Sequence, residues 1–101
     1  MTKLLKEKLD TIEIKLKNFC KNGYPMSRSE ARRIVESLSS FQEVIINFEY
    51  ISNAGQAFCH EVFIVFQNKN PNIKINYINA NEAVDGMINR VLNTSKILNS
   101  K

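Results

Sequence analysis

Apolar and polar positions along this chain follow two different periods, and the periods alternate. From Thr11 the period is two: Ile12, Ile14 and Leu16 alternate with Glu13, Lys15 and Lys17, as in a half-buried strand. Asn22, Gly23, Tyr24 and Pro25 break that pattern, and Ser27 with Glu30 three residues later forms the capping-box signature of a helix start. Ala31, Ile34, Val35 and Leu38 then make one apolar stripe, with Arg28, Arg32, Arg33 and Glu36 off it. Phe41 to Phe48 contains the successive apolar residues Val44, Ile45 and Ile46, as expected of a central strand covered on both faces.

A polar turn at Ser52 to Gly55 leads into a second helical stretch, Ala57 to Gln67, with Phe58, Val62, Val65 and Phe66 on one side. A strand over Val62 to Phe66 is the weaker reading, because Ala54, Phe58 and Glu61 extend the helical period backward. After a turn containing Pro71, Ile73, Ile75 and Tyr77 alternate with Lys74 and Asn76 in another half-exposed strand. Asn79 and Glu82 offer a second capping pair for a last helix carrying Ala83, Val84, Met87, Ile88, Val91 and Leu92.

The order β-α-β-α-β-α predicts an α/β fold whose small sheet is mostly parallel or mixed, with helices mainly on one face. Residues 11–93 form the expected domain, 1–10 an N-terminal turn or extension, and 94–101 a polar C-terminal tail. At 101 residues there is material for one core. The composition, 44% apolar and 24% charged, is that of an ordinary folded protein.

No apolar run approaches the roughly 20 residues that span a bilayer, and residues 1–10 lack the apolar core of a secretory signal. The expectation is a cytoplasmic protein without a membrane partner. Cys20 and Cys59 show neither a CxxC nor a Cys/His ligand spacing, so both read as reduced thiols and no metal is implied. The formal charge is +4, and Lys3, Lys6, Lys8, Lys15, Lys17 and Lys21 concentrate it near the N-terminus against Glu7, Asp10 and Glu13. Such a face can favour acidic partners or nucleic acid, or simply be solvated.

The segments SRSEARRIVESL (Ser27 to Leu38), VIINFEYISNAGQAF (Val44 to Phe58), HEVFIVFQNKNPNIKI (His60 to Ile75) and INANEAVDGMI (Ile78 to Ile88) occur in an order that resembles the STAS-like domain family of unknown function. That family is distantly similar to the STAS domains of anti-sigma-factor antagonists and sulfate transporters. The resemblance implies a STAS-like fold in which the loop after the central strand leads into a helix that partners recognise. Antagonists carry there a serine phosphorylated by an ATPase-like kinase. Gln56 holds the matching position here, and glutamine accepts no phosphate, so the phosphoswitch does not carry over. The chain also departs from relatives at His60 and Ile64, where they tend to carry Asp and Arg.

A helical wheel sets Gln56, His60, Phe63, Ile64 and Gln67 away from the core stripe. With Ser52, Asn53 and Gly55 they define the expected partner-binding surface; the alternative is that Phe63 and Ile64 pack against a neighbouring helix or the N-terminal turn. Catalysis is not expected. Cys59, His60 and Glu61 are adjacent, but successive helical residues point about 100° apart and cannot make a nucleophile-to-base contact. No phosphate-binding glycine loop, metal-protease motif or carboxylate pair is present, and no cofactor is implied.

The expected function is therefore a non-catalytic protein-interaction module in signalling or regulation, its partner a kinase-like ATPase or a regulator, with homodimerisation as a further option. Two alternatives remain: nucleic-acid binding through Arg28, Arg32 and Arg33, and a sensor holding a nucleotide or other anion at the Ser52 to Gln56 loop.

Overall fold

The computed structural model describes residues 11–20 and 22–99, the last of them, 95–99, as backbone only. The expectation for residues 1–10 lies outside the described residues. Strand β1 (Thr11–Lys15) runs into a single 3-10 turn at Leu16–Asn18. Helix α1 (Arg28–Val35) and strand β2 (Glu43–Asn47) follow. Helix α2 is continuous but winds in three parts, Gln56–His60, a π-helical Glu61–Phe66, and Gln67–Lys69. Strand β3 (Lys74–Ile78) and helix α3 (Glu82–Asn99) complete the chain.

The three strands form one parallel sheet in the order β1-β2-β3. Its register places Ile12, Val44 and Ile75 in one row and Ile14, Ile46 and Tyr77 in the next. These rows share a face, because side chains two apart on a strand point the same way. The three helices cover that face, α2 in the middle with α1 and α3 against its flanks. Between the layers lie Val44, Ile46, Phe48, Phe58, Val62, Val84 and Ile88, all nearly fully buried. Burying one such side chain contributes about 1.5–3 kcal/mol, so this seam dominates the stability of the fold.

On the opposite sheet face the described residues of the central strand meet mostly polar neighbours. Glu43, Ile45 and Asn47 of β2 point to it, in rows with Thr11 and Lys74, Glu13 and Asn76, Lys15 and Ile78. Ile45 is half-buried, its row neighbours are Glu13 and Asn76, and among the described residues no helix packs on this face. Asn47 is buried through hydrogen bonds: its amide donates to Glu13 at 2.7 Å, and its carbonyl oxygen accepts from Asn79 at 3.0 Å.

The capping box at Ser27 forms in full. The amide of Glu30 donates to Ser27 Oγ at 3.1 Å, while Glu30 Oε1 accepts from the amides of Met26 and Ser27, each at 2.9 Å. These bonds hold the Glu30 carboxyl below its ordinary range. At α3 the cap is Asn81 and not Asn79: Asn81 Oδ1 accepts from the amide of Val84 at 2.9 Å. Asn79 instead adopts a left-handed φ of 59° and turns its side chain to Asn47. Helix α3 continues to Asn99, beyond the point where polar composition signals a tail. Among the described residues no helix is long and apolar enough to cross a membrane.

Candidate interaction surface

In a parallel sheet every strand ends at the same edge, and the loops leaving those ends are brought together there. Two such loops meet in this chain, the segment between β1 and α1 and the segment between β2 and α2. Ser52 donates twice to the carbonyl of Gly23, from its amide at 2.9 Å and from Oγ at 3.2 Å. The amide of Gly55 donates to the carbonyl of Pro25 at 2.8 Å. Asn81 ties the second loop to α3, its Nδ2 donating to the carbonyls of Ile51 and Ser52. Gly23 takes a φ of 70°, a left-handed conformation that favours glycine, and a Cβ there would stand a tight 3.3 Å from the carbonyl of Tyr50.

The paired loops carry a concentration of exposed apolar surface. Phe19 is 57% exposed, Met26 52%, Tyr50 77% and Tyr24 36%. Among the described residues these are four of the six large apolar side chains left at the surface, the others being Ile78 and Leu92. Tyr50 is also held at a φ of 65°, which a bulky side chain adopts at a cost of about 1–2 kcal/mol. Lys17 Nζ lies 4.7 Å from the centre of its ring and pairs with Glu49 at 3.3 Å. A strained backbone thus coincides with an exposed aromatic ring, and strained residues of this kind cluster at functional sites.

The expected site residues separate into two groups. Ser52, Asn53, Gln56 and His60 are exposed and Gly55 is partly so, all around the first turn of α2. Arg28 joins them: with Gln56, Ala57 and His60 it lines a notch of about 360 Å³. Phe63, Ile64 and Gln67 do not belong to this surface. Phe63 is 7% exposed and packs edge-on against Tyr77, ring centres 5.7 Å apart. Ile64 is partly buried against the core. Gln67 Nε2 donates to the carbonyls of Asn70 and Ile73, closing the turn into β3.

The cause is the π-helical winding of Glu61–Phe66. An i→i+5 repeat advances each residue through less than the α-helical angle, so Phe63 turns toward the core and Tyr77, whereas an α-helical wheel turns it outward. Glu61, on the same α-helical period as Ala54 and Phe58, is buried as well, its side chain 5% exposed. Its carboxylate is held by two arginines of α1, with Arg32 Nε at 3.2 Å and Arg28 Nε at 3.7 Å. Both guanidinium groups are mostly in solvent. Arg33 is exposed further round the helix.

Beside the Arg32–Glu61 pair a cleft of about 470 Å³ runs between α1 and α2, with Val35, Val65 and Phe66 as its apolar lining and Glu36 and Lys69 among its charged residues. Both carboxylate oxygens of Glu61 already face an arginine, so the carboxylate is a fastening between helices. Cys59 is fully buried, and burial pushes its thiol up to about 12. Burial, with the nearby Glu30 carboxylate second, also raises the thiol of Cys20.

A two-layer α/β domain with paired loops at the carboxyl edge of its sheet defines the class. The chain belongs to the family described as the STAS-like domain of unknown function, whose model matches residues 30–85. The match spans most of α1, then β2, the second loop, α2, β3 and the start of α3; it includes Tyr50 and the Ser52 to His60 segment, while Phe19, Tyr24, Met26 and Arg28 lie before it. No curated protein and no solved structure matches the chain.

The aromatic half of the surface escaped sequence reasoning. Phe19, Tyr24, Met26 and Tyr50 sit singly in polar turns, where an isolated apolar residue is unremarkable. The signal available was topological: both turns follow strands expected to be parallel, and such turns share an edge.

Proposed function

We propose that this chain is a non-catalytic module that docks another protein through the two paired loops at the carboxyl edge of its sheet and the first turn of α2. One observation carries the reading: the two paired loops carry Phe19, Tyr24, Met26 and Tyr50, four of the six exposed large apolar side chains among the described residues, and Tyr50 has a strained backbone. Apolar side chains rimmed by polar groups are characteristic of protein interfaces, and tyrosine is enriched where binding energy concentrates. Ser52, Asn53, Gln56 and His60 supply the polar rim.

The non-catalytic part of the reading is supported by the fate of the reactive side chains. Cys59 is a buried thiol held protonated, and Glu61 is engaged by two arginines. The resemblance to anti-sigma-factor antagonists favours a regulatory partner, such as a kinase-like ATPase. With Gln56 in place of the phosphorylated serine, docking here is not switched at that position.

The test is recovery of the tagged full chain from its native cells at moderate salt, with mass spectrometry of what stays bound. A stoichiometric protein should accompany the parent chain and be lost from the Met26→Asp, Tyr50→Asp double variant, whose melting curve stays near the parent's. Retention of the partner by that variant contradicts the assignment of the face.

A further inference from the structure

Among the described residues, the acidic groups Glu30, Glu49 and Glu61 around the docking face are engaged. Glu49 pairs with Lys17, Glu30 accepts from the amides that open α1, and Glu61 lies between two arginines. The positive groups are not matched in the same way. Arg28 and Arg32 share a single carboxylate, their side chains are 60% and 64% exposed, and His60 stands beside Arg28 in the notch. Among the described residues the local balance is two guanidinium groups to one carboxylate, next to an apolar ridge.

We propose that the partner presents an acidic polypeptide segment, one of whose carboxylates seats in the notch between Arg28 and His60 while a neighbouring apolar side chain covers Met26 and Tyr24. This rests on the reading of the paired loops as the docking face and specifies the chemistry of what docks. The notch adjoins the ridge directly: Arg28 is two residues from Met26, whose backbone lies against Gly55, and Gln56 lines the notch. The guanidinium of Arg28 offers the fork that carboxylates accept in two parallel hydrogen bonds. Ala57 provides an apolar wall, and the start of α2 has no side-chain cap, so its positive end also favours an anion. Charge complementarity of this kind fixes register and hastens encounter. A nucleic-acid backbone asks for a row of cations along a groove; one basic notch beside an apolar ridge matches a segment that places an acid next to an apolar residue.

The experiment is selection of short random peptides displayed on phage against the immobilised full chain, followed by fluorescence anisotropy of the winners with the parent chain and with Arg28→Gln, Arg28→Glu and Tyr50→Ala variants of unchanged circular dichroism. Selected peptides should carry Asp or Glu close to an aromatic or aliphatic residue. They should lose about tenfold in affinity with Arg28→Gln, more with Arg28→Glu, and lose affinity with Tyr50→Ala as well. Winners that depend on Tyr50 but lack acids, or that ignore both Arg28 variants, overturn the acidic anchor and leave the docking face standing. Absence of selection, or winners indifferent to Tyr50→Ala, overturns both. A labelled single-stranded RNA that binds more tightly than any peptide and is lost in Arg28→Glu overturns the proposal in favour of nucleic acid.

Discussion

Gly55 and Met26 are in backbone contact across the two loops: a methyl group at Gly55 would stand 2.7 Å from the carbonyl oxygen of Met26 and 2.9 Å from its Cα. No carbon approaches a backbone that closely without displacing it, and the neighbouring hydrogen bond from the Gly55 amide to Pro25 holds the loops at that distance. Gly55→Ala is therefore expected to destabilise the domain by about 1–3 kcal/mol, as overpacking does. Urea denaturation measures the loss. The same substitution should weaken partner binding beyond what stability explains, because it separates Met26 from the first turn of α2.

The Arg28–Glu61–Arg32 cluster predicts an asymmetry. Removing both guanidinium groups strands a buried carboxylate, whereas removing the carboxylate leaves two arginines already in solvent. The Arg28→Ala, Arg32→Ala double variant should lose about 1–3 kcal/mol, less than for a fully buried pair because the arginines are screened by water. Glu61→Met should cost clearly less. Equal losses in thermal or chemical denaturation contradict a fastening role for the pair.

Tyr77 joins β3 to α3 by donating to Asp85 Oδ1 at 2.5 Å, with Asn89 Nδ2 on the other carboxylate oxygen at 3.2 Å. That hydrogen bond, and burial after it, push the phenol up to about 12. The folded state then holds the proton more tightly than the unfolded chain, so its contribution is complete below about pH 10 and is lost as pH rises toward about 12. Tyr77→Phe should cost about 1–2 kcal/mol at neutral pH and remove this alkaline component from a pH series of melting temperatures.

The capping box titrates in the opposite direction. The Glu30 carboxyl is lowered in the folded state by the amides of Ser27 and Met26, so its contribution is present above the ordinary carboxylate range and is lost as pH falls through it. Ser27→Ala should cost about 1 kcal/mol. Glu30→Gln should flatten the acid limb of stability against pH.

Much of the architecture is legible from periodicity. The alternation at Ile12 and Ile14, and again at Ile73, Ile75 and Tyr77, marks half-covered strands, and the Ser27–Glu30 pair marks the start of α1. These features depend on neighbours in sequence, which is why they can be read there. Phe63 could not be placed, because an α-helical wheel assumes a constant angular step and the π-helical stretch changes it. The exposed residues around Gln56 were found from the helical wheel together with the family resemblance, while Tyr24, Met26 and Tyr50 were not. Their surface exists only after two loops far apart in sequence are joined by bonds such as Ser52 to Gly23 and Gly55 to Pro25.

The central claim, that the paired loops are where a partner binds, is tested most directly by photo-cross-linking in the native cells. A benzophenone amino acid placed at Tyr50, or at Met26, should yield a discrete adduct with another protein. The same group at Arg90, exposed on α3, should yield none. Adducts from Arg90 with none from Tyr50 or Met26 would contradict the claim and move the docking surface to the opposite flank of the helical layer.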